Sequence, residues 1–206
     1  MSAAFDERYA AEQLRRSRHP LRRLIKNLYL RNILRYVDGP TIDFGCGAGQ
    51  LLARLPAGSI GLEVNPALVR ELQAAGLNVA RYNTAEDGFQ LAGLSAGRYS
   101  TFVMAHVLEH FDEAAGVLRR LLRSCGRLGV RRFILVVPGR KGYLSDATHR
   151  TFVDRAYLER ERLLRCEGFS LTLARHFPVD CEALGSYFIY HELIAVFQRQ
   201  ESGSGA

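Results

Sequence analysis

The sequence predicts an α/β domain built on a doubly wound, Rossmann-like sheet whose strands are mostly parallel. Two observations lead to this prediction: short apolar segments alternate with helical patterns, and a run of glycines follows the first apolar segment. Strands joined through helices form right-handed crossovers, which place helices on both faces of a parallel sheet. A chain of 206 residues is long enough for one such core and short for two.

The predicted strands are short and rich in β-branched or aromatic residues. Five of them are almost continuously apolar, which is typical of strands buried on both faces of a parallel sheet. These five cover residues 41–44, 59–64, 78–82, 99–105 and 132–138. Two later segments, 169–177 and 191–199, are predicted to pair antiparallel as a hairpin at the sheet edge.

Helical patterns fill most of the gaps between these segments. They cover residues 48–55, 66–75, 112–124 and 154–166. In the third helix, apolar side chains recur at i, i+3 and i+4 while arginines occupy the other face, which predicts packing on one side of the sheet.

The chain is predicted to have three parts: a basic helical extension over 1–38, the main domain over 39–200 and a disordered tail over 201–206. Residues 1–37 hold nine basic and three acidic side chains, so much of the net charge of +7 lies there. A basic helix could contact RNA, acidic lipid or an anionic substrate. Such a run is more often simply a solvated helix face.

Composition limits location and metal chemistry. No apolar run approaches the roughly 20 residues that span a bilayer, and the amino terminus lacks the apolar core of a secretory signal, so we expect a cytoplasmic protein. The four cysteines form no CxxC pair and have no histidine at metal-site spacing. The sequence therefore predicts no disulfide framework and no metal site.

The glycine-rich segment behind the first strand is "DFGCGAG", with Asp43 ahead of Gly45, Gly47 and Gly49. A phosphate-binding P-loop is excluded because no lysine followed by serine or threonine stands at the required place. The dinucleotide fingerprint is excluded as well, because its third glycine would fall at Gln50.

This order of residues, with Glu63 at the end of the second predicted strand, resembles motif I and its acidic partner in class I S-adenosylmethionine-dependent methyltransferases. The resemblance implies S-adenosylmethionine as cofactor and a seven-stranded sheet that ends in an antiparallel hairpin. Glycines in such a loop let the backbone approach the cofactor closely. Glu63 would accept hydrogen bonds from the two ribose hydroxyls.

Two downstream segments extend the resemblance over roughly residues 30–200. "NVARYNTAED" is similar to the end of the family's third strand, which implies an adenine contact at Asn83. "STFVMAHVLEHF" is similar to the fourth strand and the LEH signature that follows it, which places His106 beside the cofactor. The cofactor-binding residues implied by the resemblance are Asp43, Gly45, Cys46, Gly47, Gly49, Glu63, Val64, Asn83, Thr84, Ala85 and His106.

The candidate catalytic residues are His149 and Asp146, in "SDATHRTF", together with His106. This stretch resembles a DPTH segment of bacterial methyltransferases that modify glycans and secondary metabolites, although Ala147 replaces the proline. A paired aspartate and histidine could deprotonate an acceptor hydroxyl, position a substrate or brace the loop. His110 is expected to be a packing residue at the start of a helix.

Acceptor chemistry is predicted mainly from what the sequence lacks. It has no Asn/Asp-Pro-Pro-Tyr/Phe segment of amino-methylating nucleic-acid enzymes, no cysteine placed as a pyrimidine nucleophile and no double-glutamate loop of arginine methyltransferases. We therefore expect a small-molecule acceptor, methylated on oxygen or nitrogen. Two alternatives remain: an RNA methyltransferase that docks through the basic amino-terminal helix, and a non-catalytic cofactor-binding module.

Overall fold

The computed structural model describes residues 20–200, and side chains from residue 27 onward. The first half of the predicted basic extension and the predicted tail thus lie outside the described residues. The helices are α1 Pro20–Leu34, α2 Pro66–Ala74, α3 Thr84–Asp87, α4 Ala114–Leu128, α5 Arg140–Leu144 and α6 Arg155–Arg160. The strands are β1 Thr41–Phe44, β2 Ile60–Glu63, β3 Val79–Arg81, β4 Thr101–Ala105, β5 Arg132–Pro138, β6 Arg165–Cys166, β7 Phe169–Phe177 and β8 Glu192–Arg199.

The strands form one sheet in the order β3-β2-β1-β4-β5-β8-β7-β6. Strands β1 to β5 pair in parallel, whereas β8 runs antiparallel to both β5 and β7. The predicted doubly wound fold with an antiparallel carboxyl-terminal hairpin is confirmed. Because β8 is reversed, its first residue, Glu192, pairs with Pro138 at the carboxyl end of β5.

The sheet has eight strands, one more than expected, because the predicted helix over 154–166 is wrong in its second half. Helix α6 stops at Arg160, and Arg162 follows with a left-handed φ of 54°. The chain then turns through Gly168, and β6 pairs antiparallel with the start of β7. The segment predicted as one helix therefore forms a six-residue helix and, after a turn, a two-residue edge strand.

The predicted helix over 48–55 is also wrong. Only Leu52–Arg54 form a helical turn, and it is of the 3-10 type. Gly47 and Gly49 have left-handed φ values of 52° and 69°, which a right-handed helix cannot accommodate. Pro56 then restricts the residue before it to an extended conformation, so the segment has no room for a full helix.

The core has one layer on each face of the sheet. Alternate strand residues point to opposite faces, so Phe102 and Phe133 pack towards α4, while Val103 and Ile134 pack on the other side. Helix α1 covers that second side through two buried residues, Leu30 and Ile33. Residues 27–34 of the predicted extension thus belong to the same core as the sheet. Among the described residues, no helix is long and apolar enough to cross a bilayer.

Candidate functional site

A cavity of about 740 Å³ opens at the carboxyl ends of β1, β4 and β5. This is the edge at which doubly wound sheets bind their ligands. The predicted site residues that line it are Asp43, Gly45, Cys46, Gly47, His106, Asp146 and His149. The structure therefore brings the predicted glycine loop and the three candidate catalytic residues to a single cavity.

The glycine loop owes its shape to three left-handed residues with different neighbours. A side chain at Gly45 would collide with Val107, and one at Gly49 would collide with Leu72 and Leu77. At Gly47 the same position is open space, on the cavity wall. Gly45 and Gly49 are therefore needed for close packing within the protein, whereas the backbone at Gly47 is accessible to a ligand in the cavity.

Cys46 lies in this loop with its side chain almost buried. Burial, together with the nearby carboxylates of Asp43 and Glu63, raises the pKa of the Cys46 thiol. The thiol is therefore protonated at neutral pH, so it lines the cavity and does not act as a nucleophile.

Glu63 is nearly buried and supports the loop. Its Oε2 accepts a hydrogen bond from the backbone N–H of Gly47 at 2.9 Å, and its Oε1 accepts one from Asn65 N–H at 2.9 Å. Each carboxylate oxygen keeps a second lone-pair direction for a further donor. Glu63 thus shapes the glycine turn and retains acceptor capacity at the end of β2, where a ribose contact is predicted. Val64 follows it, half-buried.

The residues predicted to contact the adenine lie directly after β3, at the start of α3. The side-chain oxygen of Asn83 caps this helix by accepting a hydrogen bond from Ala85 N–H at 3.1 Å, and its amide donates to Glu86 at 2.7 Å. Thr84 and Ala85 form the first turn. Asn83 therefore has a structural role of its own, and its contact with an adenine stays a prediction.

His106 stands at the end of β4 with a left-handed φ of 56°. Its Nε2 lies 3.1 Å from Glu192 Oε2 and its Nδ1 lies 3.5 Å from Glu109 Oε1. Partial burial lowers the pKa of His106, whose side chain stays half-exposed, but the neighbouring carboxylates of Glu109 and Glu192 outweigh this effect and raise the pKa to about 10. His106 is consequently a cation at neutral pH that is hydrogen-bonded to Glu192 and within ion-pair distance of Glu109, which does not suit a general base.

Asp146 and His149 are joined by a backbone hydrogen bond, from His149 N–H to the carbonyl oxygen of Asp146 at 3.2 Å, but their side chains have different partners. Asp146 accepts hydrogen bonds from the N–H and the hydroxyl of Thr148, at 2.8 and 2.7 Å. His149 Nδ1 lies 2.7 Å from the carbonyl oxygen of Tyr143, and its ring stacks on the Tyr143 ring. The Asp-His pair that the sequence suggested is thus two separate groups on one cavity wall, and their catalytic role stays a prediction.

Two buried carboxylates of the site were missed by the sequence analysis. Glu109 is 1% exposed and Glu192 is 3% exposed, and both contact His106. A signal for Glu109 was present in the LEH segment, since an acidic residue there follows an apolar strand. Glu192 gave a weaker signal, because it is a single charge at the start of the mainly apolar strand β8.

The cavity rim is formed by the segment 187–190, which we call the rim segment. Its four side chains are exposed although they are large and apolar or aromatic, and Ile189 and Tyr190 line the cavity. The hydroxyl of Tyr29 in α1 donates a hydrogen bond to the carbonyl oxygen of Tyr190. Helix α1 and the rim segment thereby meet across one side of the opening.

Residues 42–130 match a sequence family described as "Methyltransferase domain". None of the curated proteins matches the sequence significantly. A SAM-dependent methyltransferase from Archaeoglobus fulgidus superimposes with a TM-score of 0.67 at 18% identity, over 94% of this chain and 100% of the other. The fold is that of S-adenosylmethionine-dependent methyltransferases.

Two further solved structures share this methyltransferase fold. Magnesium protoporphyrin IX methyltransferase from Synechocystis PCC 6803, with bound SAH, has a TM-score of 0.64 at 16% identity and covers 96% of this chain and 97% of its own. A Haloferax volcanii complex of the Trm112 methyltransferase activator with a putative methyltransferase has a TM-score of 0.66 at 15% identity, with coverage of 94% and 97%. Family match and fold together indicate a methyltransferase.

Proposed function

We propose that this protein transfers the methyl group of S-adenosylmethionine to a hydroxyl or amine of a small molecule that is neutral or cationic and largely apolar. The observation that supports this acceptor class is the charge of the cavity. Among the described residues that line it there is no lysine or arginine, and Asp43, Asp146 and Glu192 supply three carboxylates against the single positive charge of His106. A phosphodiester backbone would be repelled by such a wall, because nucleic-acid sites neutralise phosphates with basic side chains.

The size and the rim of the cavity support the same acceptor class. About 740 Å³ lies within the range of roughly 300–1,000 Å³ that is usual for small-molecule sites. The exposed side chains of Ile189 and Tyr190, which line the cavity, offer an apolar surface at its entrance. An acceptor with an apolar body would bury this surface on binding.

Within this proposal the cavity wall is divided between the two substrates. The glycine loop and Glu63 hold the cofactor, with His106 beside it at the end of β4. Asp146 and His149, which line the cavity on the chain beyond β5, contact the acceptor. Methyl transfer needs the acceptor atom and the methyl carbon to be held in line and close together, so positioning by these residues supplies most of the catalysis.

Labelling with radioactive S-adenosylmethionine tests the proposal. Binding of the cofactor and of its demethylated product is first measured by isothermal titration calorimetry. Cell extract is then incubated with the protein and labelled cofactor, and separated into small-molecule, RNA and protein fractions. We expect label in a neutral or cationic small molecule.

The other outcomes contradict specific parts of the proposal. Label in RNA would favour docking through the basic amino-terminal segment. Cofactor binding without label in any fraction would favour a non-catalytic module. Absence of cofactor binding would overturn the proposed function altogether.

A further inference from the structure

Three potential metal ligands converge where the LEH segment meets the loop after β5. They are Glu109 and His110 from the 3-10 helix Leu108–His110, and His149 from the loop. One ligand atom from each lies within 4.8 Å of the others. His149 also lines the cavity, so the cluster adjoins the wall assigned above to the acceptor.

Glu109 is the anomaly in this cluster. Its side chain is 1% exposed, yet neither carboxylate oxygen has a hydrogen-bond partner among the described residues. The histidine nitrogens of His106 and His149 lie at 3.5 and 3.9 Å from Oε1, which is beyond a good hydrogen bond. A buried carboxylate is costly unless it is well paired or bound to a metal ion, and His106, which lies closer to Glu192, offers Glu109 only a long ion pair.

The hydrogen bonds of both histidines leave Nε2 as the free nitrogen. His149 Nδ1 lies 2.7 Å from the carbonyl oxygen of Tyr143, which can only accept, so Nδ1 carries the proton. The hydroxyl of Thr148 donates to Asp146 at 2.7 Å and therefore accepts from His110 Nδ1 at 3.1 Å. A histidine that donates from one nitrogen to a carbonyl or an oxygen network presents the other as a metal ligand.

We propose that Glu109, His110 and His149 bind one divalent first-row transition metal ion through a carboxylate oxygen and two Nε2 atoms. Two histidines and one carboxylate are a set that Zn²⁺ and its neighbours in the series accept. With bonds of ~2.1 Å the ligand atoms would stand about 3.4 Å apart, so the cluster has to contract. The exposed ring of His110 has to turn inward and shift its contact with Thr148, and the positive ion then neutralises the buried carboxylate.

Three protein ligands leave at least one coordination position open, as in catalytic metal sites. His149 belongs to both the cluster and the cavity wall, so an oxygen of the acceptor can occupy that position. This consequence rests on the proposed function, whereas metal binding itself does not. It also gives the acceptor a defined chemical class: a hydroxyl or carbonyl oxygen that coordinates a divalent ion.

Cobalt titration of the full chain tests the site without any substrate. The protein is stripped with a chelator and titrated with Co²⁺, whose visible absorption reports coordination, and the bound ion is then displaced with Zn²⁺. We expect one equivalent to bind, and H110A and H149A to weaken binding at least about tenfold. E109Q is expected to abolish the rise in melting temperature that the metal gives the wild type, while leaving the metal-free protein folded.

The matched control is H176A. His176 is 13% exposed on its side chain, close to the 10% of His149, and likewise lies beside a carboxylate, with Nδ1 3.7 Å from Asp180. Its removal should leave Co²⁺ binding unchanged. Absence of saturable binding, or equal binding in H110A and wild type, would overturn the metal site. Cofactor affinity, measured by calorimetry on the same samples, separates that failure from failure of the proposed function.

Discussion

The carboxylate of Glu63 and the backbone N–H of Gly47 are joined by a hydrogen bond of 2.9 Å. The two residues lie 16 positions apart, and each belongs to one half of the sequence motif that suggested the cofactor. The second oxygen of the same carboxylate accepts from Asn65 N–H, so Glu63 connects the glycine turn to the start of α2. The acidic residue thereby organises the loop before any cofactor is present.

Replacement of Glu63 by glutamine should therefore destabilise the protein and weaken cofactor binding together. An amide has one oxygen and one NH₂ group, so either Gly47 or Asn65 would face a donor instead of an acceptor. We expect a loss of about 1–3 kcal/mol in the free energy of unfolding, measured with urea. E71Q is the control, since Glu71 is exposed on α2. Equal stability of E63Q and wild type would contradict the supporting role of Glu63.

Gly47→Ala should reduce affinity for S-adenosylmethionine much more than it reduces stability. A methyl group at Gly47 meets no atom of the described residues within 4 Å and would occupy the cavity wall. Gly76→Ala is the matched control, because Gly76 also has a left-handed φ, of 80°, and open space around its added methyl. Both variants should lose about 1 kcal/mol from backbone strain. Only G47A should show weaker binding by calorimetry, and similar affinities in both variants would contradict a backbone contact at Gly47.

His106→Ala should be destabilising, because it leaves Glu192 buried without the imidazole 3.1 Å away. The His106 side chain is half-exposed, so the expected loss is about 1–3 kcal/mol, less than for a fully buried ion pair. Adding E192Q should recover a large part of that loss, since the glutamine is neutral. A double-mutant cycle of urea unfolding measures the coupling between the two side chains. Additive effects of the two substitutions would show that the pair does not stabilise the site.

Asp87 should make stability depend on acid pH. Burial raises the pKa of Asp87, but hydrogen bonds from the Tyr82 hydroxyl and from the N–H groups of Ala92 and Leu91 outweigh it and lower the pKa. The unfolded chain therefore takes up this proton at higher pH than the folded one. The stabilisation is complete above the ordinary value of 3.8 and is lost as the pH falls through the lower folded value.

Urea unfolding of D87N at neutral and at acid pH measures this contribution. We expect D87N to be less stable than the wild type at pH 7 by about 1–3 kcal/mol, and the difference to shrink below pH 3.8. The control, D112N, removes an exposed carboxylate and should give no such difference. A gap between D87N and wild type that is constant with pH would contradict the lowered pKa.

The strands could be read from the sequence because their apolar runs are local. Each of the seven predicted strands agrees with the structure within two residues at either end. The helix after the glycines could not be read in the same way, since left-handed glycines and Pro56 override a favourable helical pattern. The end of helix α4 also differs from the predicted one at residue 124. The helix extends to Leu128, where Gly129 ends it in a left-handed conformation.

By itself, the sequence determined the α/β architecture, the glycine loop and its acidic partner, because these depend on residue spacing within short segments. Tertiary structure alone decided which charges meet: β8 enters the sheet reversed, and so brings Glu192 to His106, 86 positions earlier in the chain. It also brings Glu109 to His149, 40 positions apart by number, and within residues 20–200 no hydrogen bond balances the buried carboxylate. Burial and long-range contacts set the protonation and the pairing of these groups, and no local pattern contains that information.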